Sequence, residues 1–147
     1  MLGLAAQWLG VNQTQANSVA PILISEEQGR HKSTFCRMLM PPQLARYYSD
    51  NLKLTAQGNP ERLLAEMGLL NMDEFDKFGA QKMPLLKNLM QMSSLNICKA
   101  YQKNFRSLPR IASFIGTSNR TDLLCDPTGS RRFICIEAEH DIDCTGI

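Results

Sequence analysis

Short, almost unbroken apolar runs recur along this chain at residues 22–24, 69–72, 111–116 and 133–136, with helical periodicity between them. A strand with one wet face alternates apolar and polar residues. A run that is apolar throughout is buried on both faces, as in a parallel sheet covered by helices on each side. The expected fold class is therefore α/β: a three-layer domain around a mainly parallel central sheet.

The intervening segments fit that plan. Leu2, Ala5, Trp8 and Leu9 share one helical face over residues 2–9, and Gly10 stops the helix. Residues 1–19 read as a helix and a linker, the tail of an upstream element, and residues 20–147 as one core domain. Pro41-Pro42 ends the helix that opens near Lys32. Residues 44–54 read as a short helix leading into an extended piece, and Gln57-Gly58-Asn59 as a turn. Asn59 is expected to cap the next helix, with Pro60 in its first position, Leu63, Leu64 and Met67 on its buried face, and Gly68 at its end. Another helix is expected over residues 82–92.

Composition sets outer bounds. At 147 residues and 44% hydrophobic, the chain can pack one core, and 20% charged residues argues against disorder. A net charge of +2 gives no overall draw toward nucleic acid, so a polyanion site has to be a local patch. No apolar run of about twenty residues exists to span a bilayer, and the opening residues lack a basic signal region. Five cysteines without a Cys-x-x-Cys pair suit reduced thiols, so a cytoplasmic location without a membrane partner is expected. Cys125, Cys135, His140 and Cys144 are residue types that zinc uses. The long first gap, and the place of Cys135 in an apolar run, favour an ordinary strand thiol instead.

In open α/β sheets, ligands bind beyond the carboxyl ends of the strands. Three polar groups occupy such places here. After residues 22–24 comes Gln28-Gly29-Arg30-His31-Lys32-Ser33-Thr34, opening a segment with Phe35, Met38 and Leu39 at helical spacing. Strand, loop, Lys-Ser and helix is the layout of a phosphate-binding loop, although Glu26 and His31 stand where the pattern has glycines. A solvated basic loop before a helix is the plainer alternative. Asp73-Glu74 follows the second run and Asn119 the third. Alone, these would be first-turn acids and a turn, and Arg131-Arg132 would be solvated.

Taken together they suit phosphoanhydride hydrolysis, where catalysis is positioning and charge neutralisation. Lys32 would meet the β- and γ-phosphates of ATP, and Ser33 with Asp73 would hold Mg²⁺. Glu74 would polarise the attacking water, Asn119 would bond the γ-phosphate and that water, and Arg131 or Arg132 would meet transition-state charge.

Residues 28–35, 71–76, 114–119 and 126–133, with their Gly-Thr-Ser-Asn and Asp-Pro-Thr-Gly-Ser-Arg-Arg-Phe blocks, resemble the virulence-associated E family. These are phage- and mobile-element-linked P-loop ATPases similar to superfamily 3 helicases and primase-helicases of the AAA+ group. The resemblance covers nearly all of the chain from Asn17 onward. It implies that Lys32 and Ser33 match Walker A, Asp73 and Glu74 match Walker B, Asn119 matches sensor 1, and Arg131 or Arg132 falls at the arginine finger. It also implies a homo-oligomeric ring and a longer parent protein. His31 and Glu26 depart from the pattern.

Residues 96–110 carry four cations and two aromatics, enough to grip single- or double-stranded DNA through Lys99, Lys103 and Arg106. The family's DNA-tracking hairpin falls at this place. The bland alternative is a solvated β-hairpin with Tyr101 and Phe105 packed on the domain. The expected activity is Mg²⁺-dependent ATP hydrolysis coupled to replication or processing of a mobile element. The rivals are a non-hydrolysing DNA-binding or assembly module with a degenerate loop and, more weakly, a small-molecule kinase.

Overall fold

In the computed structural model, which describes residues 2–10, 17–98, 104–120 and 132–145, the apolar runs become strands of one sheet. Chain order gives α1 (Leu2–Leu9), β1 (Ala20–Ile24), α2 (Lys32–Met38), β2 (Tyr48–Ser49), α3 (Pro60–Glu66), β3 (Leu69–Met72) and α4 (Met83–Gln91). Then follow β4 (Ser94–Cys98), β5 (Phe105–Pro109), β6 (Ser113–Ser118) and β7 (Phe133–Glu137). The sheet order is β2-β3-β6-β1-β7, and each of its pairings is parallel. β4 and β5 pair only with each other, antiparallel.

The period of two along each strand sorts side chains between two cores. Ile22, Ile24, Leu70, Met72 and Phe114 pack with Leu64 of α3 and Leu86, Leu89 and Met90 of α4. Leu23, Leu69 and Ile115 point the other way, onto Cys36 and Met40 with Trp8 of α1 beside them. One sheet between two helical layers explains why the runs read as unbroken. Burying Ile22, Leu23 or Ile24 contributes about 1.5–3 kcal/mol each.

Pro21 lies inside β1 rather than ahead of it, although β1 has neighbours on both sides. Ala20 N–H bonds Arg132 O on the β7 side (2.7 Å), and Ser25 N–H bonds Ser118 O on the β6 side (3.2 Å). Alternation then turns the Pro21 nitrogen toward β6, whose pairing begins only at Ile22. The absent donor costs no ladder bond.

Several local expectations need correction. Asn59 precedes α3 in a left-handed conformation (φ 42°), and its side chain makes no capping bond. Its carbonyl accepts from Arg62 and Leu63 instead. Gly68 does not terminate α3, which ends at Glu66; its carbonyl accepts from Trp8 Nε1 at 3.0 Å, and an added Cβ would press on that indole at 3.1 Å. The third apolar run is displaced, because Ile111 and Ala112 both donate to Leu64 O before the ladder starts at Ser113. β7 is an edge strand: Phe133 and Cys135 face the core, while Ile134 and Ile136 are exposed. The short helix expected at residues 44–54 is present as a tight helical turn (Pro42–Tyr47), and the two-residue β2 is the extended piece that follows it.

Arg110, grouped with the basic stretch in the sequence, is fully buried. Its guanidinium donates to Asn17 O (2.7 Å) and lies 5.6 Å from the Phe114 ring, while Gln7 donates to its carbonyl. Burial lowers its pKa to about 10, so it keeps its charge at neutral pH while pinning α1 to the core. Among the described residues no helix is long and apolar enough to cross a membrane.

Candidate functional site

β1, β6 and β3 are neighbours and parallel, so their carboxyl ends finish along one edge of the sheet. The polar groups that follow each strand therefore meet. They surround a cleft of about 430 Å³ lined by residues 28–34, Asp73, Glu74, Thr117, Ser118 and Asn119. Gln28, Gly29, Arg30, His31, Lys32, Ser33 and Thr34 all stand on its wall, with the last three at the start of α2.

Lys32 is buried, and its ammonium spans the site. It donates to Ser25 Oγ, to Asn119 Oδ1 at 2.8 Å and, at 3.4 Å, to Glu27 O. Burial, and then the charge of Arg30, push its pKa below the ordinary lysine value, against an upward pull from Asp73. Ser33 Oγ donates to Asp73 Oδ1 at 3.0 Å, and Thr117 Oγ1 donates to the same oxygen. Ser118 Oγ holds Asp76 at 2.9 Å. One carboxylate is thus fixed by hydroxyls from two elements. Glu74, with φ 52°, pairs with Lys77 at 2.6 Å, which holds the Lys77 pKa up. Arg30 bonds Glu27 (2.7 Å) and Glu139 O (2.7 Å), tying the loop to the segment after β7.

Gly29 (φ 86°) and His31 (φ 56°) both adopt left-handed backbone, which carries the loop around the cleft. At His31 that conformation costs about 1–2 kcal/mol relative to a right-handed residue, in the place where the loop pattern has glycine. His31→Gly is therefore expected to keep the unfolding free energy within about 1 kcal/mol of the parent, strain relief offsetting lost chain entropy. His31→Ile should lower it by about 1–3 kcal/mol, because a β-branched residue tolerates positive φ worst. Urea unfolding midpoints at equal slope check both.

Cys36 lies under the loop in α2, fully buried. Burial first, and the Asp73 charge second, push its thiol pKa up to about 12. At pH 8 it should resist iodoacetamide in the folded chain and react once the chain is unfolded, as peptide mapping by mass spectrometry would show.

Other expected site residues lie elsewhere. Arg132 immediately precedes β7, and Ala20 pairs with Phe133, so Arg132 is at the amino end of the sheet. The length of β1, roughly 16 Å, separates it from the cleft edge. Arg106 is exposed on β5, and Phe105 beside it is 73% exposed rather than packed on the domain. Lys99, Lys103, Tyr101, Cys125 and Arg131 lie outside the described residues. Sequence reasoning assigned nothing to Ser25, Thr117 or Lys77. Hydroxyls directly at strand ends, and a lysine three residues after Glu74, were the available signals.

The architecture and the cleft define a parallel α/β domain with its polar chemistry gathered at the carboxyl ends of three adjacent strands. The chain belongs to the virulence-associated protein E-like domain family, whose profile matches residues 10–147. No curated protein matches it. Among solved structures it is similar to the apo structure of the NrS-1 C-terminal region, with TM-score 0.63 and 22% identity over 95% of this chain and 35% of that one. An A-form apo structure of the same region gives TM-score 0.59 at 23% identity, over 95% and 33% of the two chains. A further A-form apo structure gives 0.53 at 22%, over 92% and 33%. At these identities the likeness is one of fold, and this chain spans about a third of the length of those structures.

Proposed function

We propose that this chain is the Mg²⁺-dependent ATPase core of a P-loop NTPase, related to superfamily 3 helicases within the AAA+ group, that serves replication or processing of a mobile element. The observation that carries the proposal is the pair of contacts across one cleft, Lys32 to Asn119 at 2.8 Å and Ser33 to Asp73 at 3.0 Å. Lysine, hydroxyl, carboxylate and amide gather beyond the ends of three neighbouring strands, and these are the groups that phosphoryl transfer uses for positioning and charge neutralisation.

The donor set fits Mg²⁺. That ion keeps several waters and takes one or two protein oxygens plus phosphates, and Ser33 and Asp73 offer such a pair. When bound, it would neutralise charge on the phosphates. Lys32 would exchange Asn119 and Ser25 for phosphate oxygens. Glu74 would accept a proton from the water that attacks the γ-phosphorus, as the bond to the bridging oxygen breaks. Asn119, released from Lys32, would bond the γ-phosphate. Arg131 or Arg132 would act from a neighbouring subunit of a homo-oligomeric ring, consistent with the position of Arg132 at the other sheet edge. Arg106, Lys99 and Lys103 remain proposed DNA contacts of the hairpin.

One observation favours the rival, a non-hydrolysing DNA-binding or assembly module. His31 places a side chain where the loop passes closest to phosphate. Titration with a slowly hydrolysed ATP analogue separates the two. Binding by the parent chain supports the ATPase, whereas binding that appears only in His31→Gly supports the rival.

A further inference from the structure

The proposed mechanism leaves one carboxylate beside the site unused. Asp76 is half-buried and is not part of the cleft wall, so a ligand seated in the cleft does not touch it. Its place is fixed from below. Phe75 is buried, with its ring 4.8 Å from that of Phe133 and 6.1 Å from that of Phe78, and this anchors the turn of helix at Phe75–Lys77 to the core. Asp76 then meets the end of β6 and accepts a hydrogen bond from Ser118 Oγ at 2.9 Å.

The sense of that bond has a consequence for Asn119. An ionised carboxylate only accepts, whereas a serine hydroxyl carries one proton and two lone pairs. With its proton given to Asp76, Ser118 Oγ offers a lone pair to the Arg120 N–H at 3.1 Å. A serine bonded in this way to the backbone two residues on closes a local turn, and Asn119 is its middle residue. On the other flank, Ser118 O accepts from Ser25 N–H at 3.2 Å. Asn119 is thus held from both sides, with its Oδ1 on Lys32 at 2.8 Å. Ser118 is 2% exposed, so water is a poor substitute for Asp76 as the acceptor of its proton.

We propose that Asp76 is a positioning residue that, through Ser118, sets Asn119 to read the γ-phosphate, and so determines how strongly the site prefers a nucleoside triphosphate to a diphosphate. The brace stands on these bonds alone, whereas its effect on nucleotide choice rests on the ATPase reading. ADP and ATP both have to take Lys32 from Asn119, but only ATP carries the phosphate that Asn119 would then bond. The ratio of the two affinities therefore separates the placement of Asn119 from the general strength of the site.

Calorimetric titration with ADP and with a slowly hydrolysed ATP analogue, each with Mg²⁺, tests the effect on nucleotide choice. Asp76→Ala should lower affinity for the analogue about fivefold or more and leave that for ADP within about twofold. Asp76→Asn keeps an acceptor oxygen for Ser118 and should recover most of the preference. Ser118→Ala should match Asp76→Ala, and the double variant should lose no more than either alone, because both changes break one chain of bonds. An unchanged affinity ratio in a folded Asp76→Ala would overturn the proposal. So would equal loss of both nucleotides in Asp76→Ala and Asp76→Asn, which would mean that the charge itself acts on the ligand.

Amide hydrogen exchange at Arg120, followed by NMR without nucleotide, tests the brace independently. Asp76→Ala should speed that exchange about tenfold, and Asp76→Asn should keep it near the parent rate. Unchanged exchange in Asp76→Ala would overturn the brace. A parent chain that binds no nucleotide, with exchange accelerated as expected, would keep the brace and overturn the ATPase reading together with the effect on nucleotide choice.

Discussion

Glu74→Gln is expected to lower ATP turnover at least about 100-fold while leaving nucleotide affinity within about fourfold. Glutamine keeps the shape and the hydrogen-bonding reach of the side chain but cannot take a proton at neutral pH. The substitution also removes the pair with Lys77. Both partners are more than half exposed, so that pair adds little to folding, and the variant should unfold like the parent. Single-turnover phosphate release set beside a binding titration separates the two effects. Turnover within about threefold of the parent would remove Glu74 from the role of base.

Phe114→Ala should cost about 3–5 kcal/mol of stability, a large part of what a domain of this size possesses. Phe114 is 2% exposed on β6, between β1 and β3, and packs toward α3 and α4. The ring also lies under the Arg110 guanidinium, so truncation opens a cavity beside a buried charge. β6 carries Thr117, Ser118 and Asn119, and loosening it would spread the site as well as the core. Equilibrium urea unfolding at unchanged slope measures the loss, and a change below about 1 kcal/mol would mean that the packing around β6 is misassigned.

Much of this fold could be read from the residues, because parallel strands covered on both faces must be apolar throughout. β1, β3 and β6 announced themselves in that way, and the rule that ligands sit beyond their carboxyl ends then grouped Lys32, Ser33, Asp73, Glu74 and Asn119. β2 was not legible, being two residues long and leaving no periodicity. β4 and β5 have one wet face and lack the continuous apolar signal, yet the hairpin expected at residues 96–110 is there, as an antiparallel pair. Contacts between distant positions were also hidden. Nothing local to Arg110 says that it folds inward toward Asn17, and nothing local to Asp73 says that Thr117 holds it. Thr117 and Ser118 lie past the end of the apolar run, yet they complete β6 and their side chains brace two carboxylates. Asn59 misled in the opposite sense, since a good capping residue was used for its left-handed backbone rather than its side chain.

The most direct test is a calorimetric titration of a slowly hydrolysed ATP analogue with Mg²⁺, on this chain and on Lys32→Ala. Binding is the right quantity, because under the proposed mechanism turnover would also need an arginine from a neighbouring subunit. The expected result is saturable binding by the parent chain that weakens at least about 100-fold in a folded Lys32→Ala. The contradicting result is a folded parent chain that binds no nucleotide, or one whose affinity does not change when Lys32 is removed.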